Sequence, residues 1–265
     1  VVITRRHEEI TVHAIRQHAF GPAANLLFEE VDDPQPGAGQ VRITVAAAGV
    51  HVLDTSIRAG NTGGPFPLPE LPMTPGREVA GVVTALGEGA DANWLGKRVV
   101  AHLGQASGGY AELVVANETS LHAVPDGVSD DVAVALIGTG RTAMGVLSVA
   151  ALTADDVVLV TAAAGGLGNL LVQEAHAIGA TVIGVAGGRT KVDLVRKLGA
   201  DIAVDYTEAD WTEQVRTELG ARELTVTLDS VGGAIGRGAF DLLGIGGRIV
   251  LFGWSSGEPD EDRDR

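Results

Sequence analysis

The sequence predicts an α/β chain of two domains, a β-rich first domain followed by a doubly wound parallel sheet. Three observations carry that expectation. An apolar strand runs straight into a glycine turn over Val157–Gly168. Strand and helix patterns then alternate as far as Phe252, the signature of a parallel sheet with helices on both faces. The first half shows short alternating segments separated by turn residues, as in an antiparallel β domain.

In the first half, Gln40–Ala46 and Val79–Ala85 alternate apolar and small or polar residues, the period of a half-buried strand. Pro34–Gly37 and Asn61–Pro65 are turn clusters between such segments. Val1–Thr11 is polar and is expected to be a loose extension. The change of domain is expected near Asp130. The domains are thus read as 12–130 and 131–257, with a charged tail over 258–265 that lacks periodicity.

In the second half, the first strand leads to Ala162, Gly165 and Gly168 at the spacing of a dinucleotide fingerprint. A diphosphate sits on a helix N-terminus only where the turn is tight and free of bulky side chains, so that backbone N–H groups and the helix dipole form the anion site. A helix pattern over Asn169–Ile178 supplies that context. Ala164, Gly165, Gly166, Leu167 and Gly168 are therefore candidate cofactor residues. Thr181–Ala186 reads as the second strand, followed by a helix over Lys191–Leu198. Ile202–Tyr206 is the third strand, with a helix around Glu208–Leu219. Leu224–Asp229 is the fourth, with a helix around Ala234–Leu243, and Arg248–Phe252 is the fifth. The strands are apolar nearly throughout, as expected when both faces are covered.

The end of the second strand selects the cofactor. An acidic residue there would bind the ribose hydroxyls of NAD. This chain instead has Gly187, Gly188, Arg189, Thr190 and Lys191. A 2′-phosphate would meet small residues and two cations, each charge-assisted contact being worth about 1.5–3 kcal/mol. NADPH is the expected cofactor, with Gly187, Arg189 and Lys191 at its phosphate.

The chain has 265 residues and a formal net charge of −15. A nucleic-acid partner is not expected, because its binding face should be basic. No apolar run is long enough to span a bilayer, and no signal peptide is visible, so no membrane partner is expected and the default location is cytoplasmic. There is no cysteine, which excludes disulfides.

Taken in order, these residues resemble the medium-chain dehydrogenase/reductase superfamily, in its zinc-free quinone oxidoreductase branch. The resemblance runs from about Val12 to Gly257. It rests on Ala48–Gly60, Pro75–Gly81, Gly108–Glu112, Val124–Val128, Gly140–Ala143, the Ala162–Gly168 turn, Leu198–Asp201, Asp205 with Tyr206, Asp229–Gly232 and Gly246–Gly253.

The resemblance implies a GroES-like, partly open β-barrel, then a Rossmann domain, with the active site in the cleft between them. It implies that Thr142 touches the nicotinamide region, that Val231, Gly232, Phe252 and Gly253 line the cofactor, and that Lys191 and Tyr206 face the 2′-phosphate. On the substrate side it points to His51, Asp54, Ser56 and Arg58. His51 stands where the zinc branch has its first ligand, and Arg77 replaces the next ligand, a histidine. His51 alone cannot build a site of three protein ligands, so no metal is expected. Without a Lewis acid, the expected reaction is hydride transfer from NADPH to a quinone or an α,β-unsaturated carbonyl. The tyrosine that many members carry at the Ser56 position is absent. His51, whose ordinary pKa lies near neutrality, is one candidate proton donor and bulk water another. Family members continue beyond the end of this chain, so the usual C-terminal segment is expected to be missing. That would expose a sheet edge, which a homodimer would cover. The alternative function is a non-catalytic NADPH-binding or structural protein on the same scaffold.

Overall fold

A computed structural model describes residues 12–61 and 67–256. The extension expected over Val1–Thr11, the charged tail and most of the Asn61–Pro65 turn cluster lie outside the described residues. The chain divides into two compact units, Val1–Gly138 and Thr139–Arg265.

In the first unit, β1 (Val12–Gln17) and β2 (Leu26–Val31) form an antiparallel pair. A second, antiparallel sheet contains β3 (Gln40–Ala48), β4 (Glu78–Leu86), β5 (Arg98–His102), β6 (Leu113–Asn117) and β7 (Leu121–Ala123), in the order β6-β3-β4-β5-β7. Helix α1 (Val52–Ala59) follows β3, and α2 (Asp130–Ile137) ends the unit. Strand alternation sorts the side chains between two cores. Val79, Val83, Val99 and Ala101 join Val41 and Ile43 on one face. Ala80 and Val100 face the other, where Ala133 and Val134 of α2 cover them. The reading from sequence changes domain near Asp130. By contact the division falls after Gly138, because α2 buries its apolar side on this first sheet.

The second unit holds α3 (Thr139–Ala150), β8 (Val157–Val160), α4 (Gly166–Ile178), β9 (Thr181–Ala186), α5 (Arg189–Lys197) and β10 (Ile202–Asp205). It continues through α6 (Trp211–Leu219), β11 (Leu224–Asp229), α7 (Gly233–Phe240) and β12 (Leu243–Leu251). The sheet order is β10-β9-β8-β11-β12, parallel throughout. Val158, Val160, Val182 and Val226 pack on one face with Leu171 and Val172 of α4. Val157, Leu159, Ile183 and Val185 pack on the other with Trp211 and Val215 of α6. Burial on both faces explains why these strands do not alternate in sequence.

Several bounds differ from the sequence expectation, as where α7 ends at Phe240 rather than Leu243, and two of the shifts bear on the site. Helix α4 starts at Gly166 rather than Asn169, because the glycines of the turn already form its first turn. Strand β12 starts at Leu243 rather than Arg248. Leu243 pairs with Leu224, the register then shifts, and Arg248 resumes opposite Val226. The glycines at 244, 246 and 247, which look like a turn in sequence, accommodate that irregularity inside the strand. Among the described residues no single helix is long and apolar enough to cross a membrane.

Candidate functional site

The carboxyl ends of the parallel strands carry the cofactor candidates. The order of the sheet reverses between β8 and β11, and open α/β sheets bind ligands in the crevice at such a switch point. After β8, Ala162 adopts a left-handed φ of 46°, and Gly165 N–H bonds Ala162 O at 2.8 Å. Gly165 is the N-cap of α4, so the N–H groups of Gly166, Leu167 and Gly168 occupy the first turn, where no intrahelical acceptor exists. A Cβ on Gly168 would stand 2.3 Å from Ala162 O and 2.7 Å from Ala163 Cα. A Cβ on Gly166 would meet only Thr139 Cγ2, at 3.6 Å. The start of α3, with the exposed Thr142 one turn along, is thus beside the glycine turn.

After β9, Gly187 lies against the Tyr206 ring, to which an added Cβ would approach within 3.2 Å. Arg189 and Lys191 are exposed in the first turn of α5. Asp205 ties this segment down. Its Oδ1 accepts from Gly188 N–H at 2.9 Å and from Thr207 N–H and Oγ1 at 2.9 and 2.6 Å. These bonds, that from Gly188 foremost, hold its carboxyl below the usual range. After β11 and β12, Ser255 N–H bonds Ser230 O and Ser256 N–H bonds Val231 O. That pairing brings Val231 and Gly232 next to Phe252 and Gly253. The fold thus collects the sequence candidates of this unit on one edge of one sheet. Their geometry fits a dinucleotide, with backbone donors at a bare turn and two exposed cations one strand away.

The substrate-side candidates stand at the start of α1. His51 is its N-cap residue and forms a capping box with Asp54. Asp54 Oδ2 accepts from His51 N–H at 2.8 Å, and the ring in turn faces the Asp54 N–H. On its other side, His51 Nε2 is 2.5 Å from Glu78 Oε2. Glu78 is 1% exposed. It pairs across the sheet with His102, whose Nε2 is 3.8 Å from Glu78 Oε1. Asp54, 8% exposed, also accepts from the Tyr110 hydroxyl at 3.1 Å. Burial, with the Asp54 and Glu78 charges nearby, pushes the Tyr110 phenol above its ordinary pKa. Such a phenol stays protonated and donating. Ser56 is half-buried further along α1, and Arg58 turns its Nε to Gly21 O at 3.2 Å. The structure therefore unites His51 and Asp54 with Glu78, His102 and Tyr110, and leaves Arg58 bracing the Gly21 turn. A pocket of about 140 Å³ adjoins Asp54, lined also by Ile57, Leu68, Met73, Arg77 and Ser107.

The chain has no cysteine, Arg77 is bonded to Gly104 O at 2.8 Å, and no group of three or more acidic or histidine side chains among the described residues is placed to hold a metal ion.

Residues 37–126 match the alcohol dehydrogenase GroES-like domain family, and residues 166–264 match the zinc-binding dehydrogenase family. A 2-haloacrylate reductase of Burkholderia is 36% identical over 249 residues, which is 93% of this chain and 74% of that protein. A quinone oxidoreductase of Sus scrofa is 33% identical over 91% of this chain and 72% of its own length. Among solved structures, a mycobacterial protein complexed with NADPH superposes with a TM-score of 0.80 at 36% identity, covering 94% of this chain and 76% of its own.

Proposed function

This chain belongs to the quinone oxidoreductase branch of the medium-chain dehydrogenase/reductase superfamily, an oxidoreductase family, and from that premise we propose that it transfers hydride from NADPH to a quinone or an α,β-unsaturated carbonyl without zinc. The observation that carries the proposal is the bare glycine turn at the switch point of the sheet, with Arg189 and Lys191 one strand away and no carboxylate at the end of β9. The NADPH of the mycobacterial neighbour and the activated alkene named for the Burkholderia relative agree with it.

In this reading Ala164–Gly168 hold the diphosphate, while Gly187, Arg189, Lys191 and Tyr206 hold the 2′-phosphate end. Thr142, Val231, Gly232, Phe252 and Gly253 hold the nicotinamide end. Bound NADPH supplies a hydride equivalent. The acceptor takes it at the β carbon, the carbon–carbon π pair becomes the new double bond to the carbonyl carbon, the carbonyl π pair moves to oxygen, and a proton completes the reduction. The pocket beside Asp54 suits a single ring or a short enone, since a cavity of about 150 Å³ holds benzene. Water is the simplest proton source. Both edges of the His51 ring are engaged, by Glu78 and by the start of α1, so donation to substrate would break one of these contacts. The cytoplasmic location and the homodimer belong to the same reading.

The test is NADPH consumption with a panel of quinones and enones, with cofactor affinities measured alongside. NADPH should bind more tightly than NADH, and Lys191→Ala should erase about 1–3 kcal/mol of that preference while leaving NADH nearly unchanged. Equal NADH binding by the unaltered chain would refute the preference. Tight NADPH binding with no turnover on any acceptor would favour the non-catalytic alternative.

His51 gives a separate expectation. Asparagine is a good N-cap, so His51→Asn keeps the cap, loses the ring's contact with Glu78, and should cost about 1–2 kcal/mol. His51→Ala loses the cap and strips the buried Glu78 of a partner, and should cost about 2–3 kcal/mol in urea unfolding. Turnover should follow stability and survive in the Asn variant. A loss of about 100-fold or more in both variants would instead make His51 the proton donor.

A further inference from the structure

We propose that Thr161 and Asp229, which the reading above does not use, form a buried clamp that sets the width of the cofactor crevice. They act as positioning residues and do not touch the cofactor. The inference rests on the NADPH reading.

The two residues terminate the strands on either side of the switch point. Thr161 follows β8, Asp229 ends β11, and they are 0% and 1% exposed. Thr161 Oγ1 donates to Asp229 Oδ1 at 2.7 Å and accepts from Ser230 N–H at 3.0 Å. The same Asp229 oxygen accepts from Val231 N–H at 3.0 Å, and Oδ2 accepts from Gly232 N–H at 3.1 Å. Its backbone carbonyl receives Phe252 N–H at 2.9 Å. One buried side-chain pair thus joins the glycine turn after β8 to the Ser230–Gly233 turn after β11, and its backbone reaches the end of β12. Those are the loops assigned to the diphosphate and the nicotinamide.

The surroundings are shaped around this carboxylate. A Cβ on Gly236 of α7 would stand 2.4 Å from Asp229 Oδ2. Gly232 and Gly233 adopt φ of 68° and 56°, conformations that turn the local N–H groups inward at no side-chain cost. A buried polar group that loses its partner costs more than the hydrogen bond gained, because it is left desolvated. Removing the Thr161 hydroxyl strands the Ser230 N–H and takes from Asp229 Oδ1 its shortest hydrogen bond, leaving it that from Val231 N–H. The two loops then lose their shared reference, and the crevice relaxes toward geometries that fit a dinucleotide less well.

The clamp sits under the crevice and not at the 2′-phosphate, so its signature is loss of affinity without change in selectivity. Thr161→Val keeps shape and removes the hydroxyl. Titrated with NADPH and with NADH, it should bind both about 10-fold more weakly with their ratio unchanged. Thr161→Ser restores the hydroxyl and should bind within about twofold of the unaltered chain. A lower melting temperature in Thr161→Val with unchanged affinities would make the pair merely structural and overturn the proposal, as would a changed NADPH-to-NADH ratio. If Thr161→Val does not fold, Thr161→Ala against Thr161→Ser carries the same comparison. If the unaltered chain binds neither cofactor, the functional reading fails first and the clamp falls with it.

Discussion

Replacing Gly168 by valine should abolish measurable cofactor binding, a loss of at least about 100-fold, and destabilise the second unit by about 2–4 kcal/mol. The cause is local and steric. The position of a Cβ lies 2.3 Å from Ala162 O and 2.7 Å from Ala163 Cα, and both are backbone atoms that cannot rotate away. Relief requires α4 to move off β8, which breaks the contact of Leu171 and Val172 with the core around Val158 and Val160. The N–H groups of the first turn of α4 move with the helix and no longer converge on one anion. Gly166→Ala separates the two consequences. Its Cβ meets only Thr139 Cγ2 at the ordinary distance of 3.6 Å, so the melting temperature should hold. Cofactor affinity should still fall, because the added methyl occupies the mouth of the turn that a diphosphate must approach. Fluorescence titration with NADPH and thermal melting of both variants check this. Full affinity in Gly168→Val would dismiss the turn as the cofactor site.

The second unit was largely legible from local pattern. A strand that ends in a glycine turn and a helix that starts there are specified within a dozen residues, and Thr181–Ala186 and Leu224–Asp229 have the bounds their composition suggests. The start of β12 was not legible, because Leu243 is held by Leu224 across the sheet while a glycine-rich run follows it. The first unit was harder for the same reason. His51 and Asp54 were visible as candidates, yet the contact that most restricts His51 comes from Glu78, which sits on the next strand in the sheet. His102 meets Glu78 only through the β4–β5 register. Tyr110 reaches Asp54 across 56 positions. Glu78 and Tyr110 did stand inside motifs already singled out, at Pro75–Gly81 and Gly108–Glu112. The motif named the residues, and only the fold gave their partners. Asp229 follows the same pattern: a motif residue in sequence, and a link between two loops once β8 and β11 are adjacent.

The same long-range logic predicts a large effect at Asp156. This residue precedes β8 and is 7% exposed. Its Oδ1 accepts from Thr225 Oγ1 at 2.8 Å and from Arg248 at 3.1 Å. Its Oδ2 accepts from Arg248 at 2.9 Å, Thr153 N–H at 2.8 Å and Thr153 Oγ1 at 3.1 Å. Arg248 also reaches Ala150 O at 2.8 Å, so one carboxylate gathers the end of α3, the start of β8, β11 and β12. Burial opposes its charge, but the bonds from Arg248, Thr225 and Thr153 prevail and hold the carboxyl well below the usual range. A group whose folded pKa is depressed adds stability that is fully present above its unfolded value. That stability is lost as pH falls below about 4 toward the folded value. Asp156→Asn should therefore lose about 2–4 kcal/mol near neutral pH, because hydrogen bonds to charged groups are worth about 1.5–3 kcal/mol each and do not add in full. The gap between the unaltered chain and the variant should shrink steadily on acidification below about pH 4, since protonation makes the two side chains alike. Urea midpoints across a pH series measure both quantities. A gap that stays constant into acid would mean that Asp156 contributes by shape alone. A gap that widens there would reverse the sign of the linkage and remove the charge network as its cause.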